Sequence, residues 1–76
     1  MTIDDATRKR IKELLVEKET NISELCLKVG LTPSTLYDFM RGTTAHIQLN
    51  TVKQICLGFE MRVVDFFNNS EFDDYE

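Results

Sequence analysis

Apolar residues recur along this chain at helical intervals, and residues that start or stop helices separate the runs. Ile11, Leu14 and Leu15 mark one face of a first helix over about 4–18. Thr2 and Asp5 ahead of it have the spacing of a capping box. On the outer face Lys9 and Glu13 are favourably spaced while Glu13 and Glu17 repel, so this helix depends on packing more than on surface charge. A second helix opens at Asn21, with Glu24 three residues on, and carries Leu25, Cys26 and Val29 as its apolar stripe. Gly30 supplies the left-handed residue that ends it. Only Leu31 separates that stop from Thr32, the expected cap of a third helix. Pro33 then takes the first helical position, where its missing N–H costs nothing. Leu36 and Phe39 face inward, and Gly42 closes the helix after Arg41.

A loop over 43–48 leads to a fourth helix over about 49–59, in which Val52, Ile55, Cys56 and Phe59 share one face. Val63, Val64, Phe66 and Phe67 define a short fifth helix over about 63–69. Beyond Ser70 the chain is acidic and aperiodic, and 71–76 is expected to be a frayed tail. One Pro, three Gly and little strand-like alternation make the expected fold all-α, a compact five-helix domain over 1–70.

Composition changes this picture little. Seventy-six residues, 42% of them hydrophobic, suit one small folded domain. The net charge of −4 is the charge of the tail. All nine Lys and Arg precede position 71, and setting aside Glu71, Asp73, Asp74 and Glu76 leaves nine acids to balance them. The body is therefore neutral and neither favours nor opposes a nucleic-acid surface. No apolar run is long enough to span a bilayer, and the acidic opening Met1-Thr2-Ile3-Asp4-Asp5 is unlike a secretory signal. Cys26 and Cys56 lie within apolar patterns and read as reduced core thiols of a cytoplasmic protein. No nucleophile–base pair, glycine-rich phosphate loop or metal-ligand spacing stands out. No catalysis, cofactor or metal is expected, and His46 reads as an ordinary polar loop residue.

The distinctive feature is two short helices meeting across a glycine-plus-one-residue turn, the second opening Thr-Pro and closing Arg-Gly. That is a helix-turn-helix signature. The run from Ile22 to Gly42, ISELCLKVGLTPSTLYDFMRG, resembles the Xre-type, lambda-repressor-like DNA-binding domains of phage and bacterial regulators. The later run Leu49-Asn50-Thr51-Val52-Lys53-Gln54-Ile55-Cys56 and residues 63–67 are similar to that family's fourth and fifth helices. Cys26 stands at the family's small position, where the helices cross closely.

The resemblance implies a small transcriptional regulator, a repressor of bacterial or phage origin, cytoplasmic and nucleoid-associated when bound. The helix over 33–41 would enter the major groove of double-stranded DNA. Base contacts would come from Pro33, Ser34, Thr35, Tyr37 and Asp38. Ser34 can donate or accept, Asp38 can accept from a cytosine amino group, and Pro33 can pack on a thymine methyl. Phosphate contacts would come from Asn21, Arg41, Thr44, Gln48 and Asn50, with Gln48 placed where some members reach the minor groove. A homodimer is expected, at least on DNA, with Met61, Val64 and Phe67 as its interface; no small-molecule effector is expected.

Plainer readings accompany each assignment. Ser34 and Thr35 also serve first-turn backbone donors, Tyr37 can pack against a neighbour, and Asp38 can pair locally with Arg41. The chain departs from the family at Ile22, where a Gln often contacts the backbone, and in the loop over 43–48, which lacks Lys and Arg. Leu15 and Met40 stand where many members pair Arg with Glu, and are expected to touch; Glu60 stands where helix four usually ends in Gly. The alternative is thus a protein-interaction module, or an antitoxin-like accessory part, with a degenerate DNA face.

Overall fold

The computed structural model describes residues 1–73. Five α-helices follow in order: α1 (Ile3–Glu17), α2 (Ile22–Val29), α3 (Pro33–Arg41), α4 (Leu49–Gly58) and α5 (Val63–Phe67). The all-α fold stands as expected, with helix bounds within two residues of those anticipated at each end.

The caps explain most of these bounds. Thr2 accepts the Asp5 amide on Oγ1 at 3.1 Å, and Asn21 accepts the Glu24 amide on Oδ1 at 2.9 Å. Each satisfies one donor that the first turn leaves without an intrahelical acceptor. The reciprocal half of the second capping box is replaced: Glu24 accepts instead from the Thr20 hydroxyl at 3.1 Å. Thr32 makes no side-chain cap bond, contrary to expectation. Its carbonyl takes the Thr35 amide at 3.1 Å, and Pro33 fixes the entry into α3.

Two helix ends are formed by glutamate. Glu19 and Glu60 have φ of 53° and 57°, the left-handed conformation that glycine tolerates best. In both, the backbone closes a double C-terminal bond. Thr20 and Glu19 donate to Leu15 and Val16, while Met61 and Glu60 donate to Cys56 and Leu57, at 3.0 or 3.1 Å. Glu60 also meets Lys28 Nζ at 3.3 Å, an exposed pair that contributes little.

The core gathers Ile11, Leu14, Leu25, Cys26, Leu36, Phe39, Val52, Ile55, Cys56, Phe59 and Phe66. Leu15 and Met40 both lie half-buried against it. α2 and α4 approach closely at Gly58 of α4. A methyl there would overlap the Leu25 side chain and press on Val29 Cγ1 at 3.1 Å.

The expected frayed tail does not begin at residue 71. Ser70–Asp73 form a 3-10 turn, in which Phe72 packs against the core and Glu71 Oε1 meets Lys9 Nζ at 2.7 Å. That carboxylate raises the Lys9 pKa, so the pair's contribution holds below the ordinary lysine range and is lost as alkaline pH deprotonates Lys9. Phe66, Phe67 and Phe72 form a three-ring cluster with centroids 4.9–6.0 Å apart. Charge and aperiodicity hid this anchor, because a single aromatic residue supplies it. Residues 74–76 of the expected tail lie outside the described residues.

Phe72→Ala is therefore expected to cost about 1–2 kcal/mol and lower Tm by roughly 5–10 °C in thermal unfolding. A frayed segment would give no change. Glu60→Gly is expected to stabilise by about 0.5–1 kcal/mol in urea unfolding, since relief of the left-handed strain exceeds the value of the exposed Lys28 pair.

Candidate nucleic-acid interface

The α2–turn–α3 unit is built by a few sequence decisions. Gly30 adopts φ 73°, and the Leu31 amide returns to the Cys26 carbonyl at 2.9 Å, so the chain reverses within one residue. Leu25 and Cys26 of α2 and Leu36 and Phe39 of α3 are buried together, which orients the rest of α3 outward. Pro33, Ser34, Thr35 and Arg41 are exposed, Tyr37 is 39% exposed, and Asp38 is half-buried.

Tyr37, Asp38, Arg41 and Asn21 have partners within the protein. Tyr37 Oη and Ser23 Oγ share a hydrogen bond at 3.3 Å, tying α3 to the start of α2. Arg41 Nη2 donates to Asp38 Oδ1, the local ion pair that their spacing allowed. Asn21 uses its amide oxygen as the α2 cap. Ser34 and Thr35 lie open on the first turn of α3.

Beyond α3, Gly42 takes φ 83° and the loop folds back, with the Thr44 amide bonded to the Asp38 carbonyl at 3.1 Å. The loop then enters α4 at Gln48, which makes no side-chain cap bond. The first-turn amides of α4, including that of Asn50, have no acceptor one turn back and carry the positive end of the helix dipole. Thr35 of α3, Thr44 and Gln48 of the loop and Thr51 of α4 border one shallow groove of about 250 Å³, floored by Leu36, Phe39 and Ile47. Of the residues expected at bases and phosphates, Thr35, Thr44 and Gln48 thus share one edge, and the others lie outside this groove.

Contacts from α1 that sequence reasoning did not anticipate organise that edge. Arg8 Nε donates to the Phe39 carbonyl at 2.7 Å, and its Nη2 reaches the carbonyls of Thr44 and Ala45 at 3.2 and 3.1 Å. His46 Nδ1 meets Asp4 Oδ2 at 2.7 Å. Thr2, by hydrogen bonding, and Arg8 both hold the Asp5 carboxyl below the ordinary carboxylate range. The only hint in the sequence is that Arg8 lies within one helical turn of Ile11 on α1. His46, read as ordinary and polar, is a tether. Among the described residues no cluster of three His, Cys, Asp or Glu could hold a metal ion, and no helix is long and apolar enough to cross a membrane.

The proposed interface residues divide by environment. Val64 is 57% exposed, whereas Met61 and Phe67 are half-buried against the core. Phe67 also lines a small apolar cleft with Ile3, Ile47 and Leu49, of which Ile3 is 63% and Leu49 78% exposed.

An all-helical domain with a two-helix turn, an outward polar third helix and an open helix N-terminus beside it has the form of a DNA-binding domain. A family model of the Cro/C1-type HTH DNA-binding domain matches residues 10–69. The chain belongs to that family. No characterised protein and no solved structure matches the chain.

Burial pushes both core thiols up in pKa, because the charged thiolate is disfavoured there. Their contribution to stability is intact below the ordinary thiol range and declines as pH rises above it, where the unfolded chain ionises first. Neither Cys26 nor Cys56 is expected to react appreciably with a disulfide-exchange dye under native conditions, and both should react in denaturant. Rapid native labelling would contradict this burial.

Proposed function

We propose that this domain is a small sequence-specific transcriptional regulator, acting as a repressor, that sets α3 in the major groove of duplex DNA. The supporting observation is the shared groove edge, which joins the open first turn of α3 to the uncapped N-terminus of α4. A duplex seated there meets Pro33, Ser34 and Thr35 at base edges, with Asp38 one helical turn on. Arg41, Thr44, Gln48 and Asn50 take phosphates, and Asn21 lies at the start of α2 for another. Tyr37, bonded to Ser23, contributes chiefly through its ring.

In this reading Arg41 leaves Asp38 for a phosphate, which frees the Asp38 carboxylate to accept from a base. Binding is by a homodimer on two half-sites about one helical turn apart, roughly 34 Å. Val64 and the Phe67 cleft supply the apolar contact between copies, together with the half-buried Met61. No small-molecule effector takes part.

The Arg41–Asp38 pair and the uncharged loop over 43–48 favour a second reading, a protein-interaction module with a degenerate DNA face.

Selection of random duplexes at low salt, repeated with Arg41→Ala, separates the two. The expected result is an enriched motif with palindromic half-sites and a shallow salt dependence. Arg41→Ala should weaken binding roughly tenfold and reduce the log–log salt slope by about 1. Retention of no DNA by the folded protein would favour the interaction module.

A further inference from the structure

We propose that Arg8, assisted by Asp4, is a positioning residue for the DNA interface, holding the loop over 43–48 in its binding shape while touching no DNA itself. The proposal rests on the DNA-binding reading above. Its basis is the convergence of two α1 side chains on one short stretch of backbone. Arg8 donates to Phe39 at the end of α3 and to Thr44 and Ala45 in the loop, and its Nη1 meets Asp5 Oδ1 at 3.2 Å. Its guanidinium carbon lies 4.4 Å from the centroid of the buried Phe39 ring. Asp4 holds the next residue, His46, at 2.7 Å. The Thr44 amide is bonded back to Asp38, so this segment is tied through the Thr44 amide, the Thr44 and Ala45 carbonyls and the His46 side chain.

The loop's composition gives the clamp its purpose. With no Lys or Arg over 43–48, phosphates must be met by hydroxyl, amide and backbone N–H groups. Those bonds depend steeply on distance and angle, whereas a flexible lysine finds a phosphate from many conformations. A loop already held in place avoids the ordering cost at binding. Arg suits the role because its planar fork reaches several carbonyls at once and its charge faces the negative end of the α3 dipole. At 19% side-chain exposure, with its donors engaged inside the protein, it is not presented to a duplex.

Arg8→Lys keeps the charge and removes the fork. On a duplex recovered by selection, or a generic duplex at low salt, it is expected to bind about tenfold more weakly with an unchanged salt slope. Affinity is read at a temperature where circular dichroism shows both proteins folded, so a loss of stability alone would leave it unmoved. The Thr44 amide should exchange faster in the variant. Asp4→Ala provides a test of opposite sign and stands in if Arg8→Lys does not fold. Removing an acid should tighten DNA binding by simple electrostatics, whereas the clamp requires weaker binding.

Wild-type affinity in Arg8→Lys, a salt slope reduced by about 1 in the uncharged variant Arg8→Gln, or tighter binding by Asp4→Ala would each overturn the proposal. The second outcome would make Arg8 a direct phosphate contact. A wild-type protein that retains no duplex overturns the DNA reading and the clamp together, while wild-type binding with unaffected variants overturns the clamp alone.

Discussion

Two arginines of α1 set the arrangement of the helices around it. Arg8 donates to the carbonyl end of α3, while Arg10 donates to Phe66 and Asp65 of α5 at 2.8 and 2.9 Å. Each lies over a buried phenylalanine of the helix it holds, Phe39 at 4.4 Å and Phe66 at 6.0 Å. Two residues apart on a helix is about 200° of rotation, so the pair reaches out on opposite flanks of the stripe formed by Thr7, Ile11 and Leu14. The apolar stripe buries α1, and the arginines choose where the ends of α3 and α5 come to rest. Helix C-termini suit this attachment because their last carbonyls lack intrahelical donors and carry partial negative charge.

The opposite side of the core is governed by close approach. α2 and α4 meet where Gly58 leaves room for Leu25 and Val29, and Cys26 and Cys56 fill the same interior as small apolar groups. This contact fixes the height of α4 against α2, and therefore the position of the open α4 N-terminus relative to α3. Leu15 and Met40 lie half-buried against the same core, and Arg8 is the charged group that α1 brings to α3. Glu19 and Glu60 stand apart from this economy. Both hold strained conformations at helix C-termini, where an acidic side chain is unfavourable to the dipole.

The edge proposed to face DNA is sparing with charge. Arg41 is paired with its helix neighbour, the loop contributes no cation, and the excess acid lies in the last six residues. Under the proposed reading, recognition rests on directional polar contacts from a fixed backbone more than on counterion release. In that reading such a surface discriminates by geometry, and the contacts from α1 to the loop serve it alongside the residues of α3.

Much of this was legible in the sequence. Residues such as Asn21, Gly30, Pro33 and Gly42 act through their own backbone or a neighbour within one turn, so the helices and the two-helix turn could be read locally. The apolar periodicity of Leu25, Leu36, Phe39, Val52, Ile55 and Phe59 selected the core for the same reason. The outward surface of α3 followed from that core by subtraction. Arg8, His46 and Lys9 were illegible because their partners lie 31 to 62 positions away in the chain, and Phe72 because it is a lone aromatic outside any periodic run that packs on Phe66 and Phe67 of α5. Nothing in a solvent-compatible side chain announces a carbonyl that only tertiary packing brings within 3 Å. Local chemistry thus determined the helices and the surface they offer, while long-range packing decided how the loop beside that surface is held.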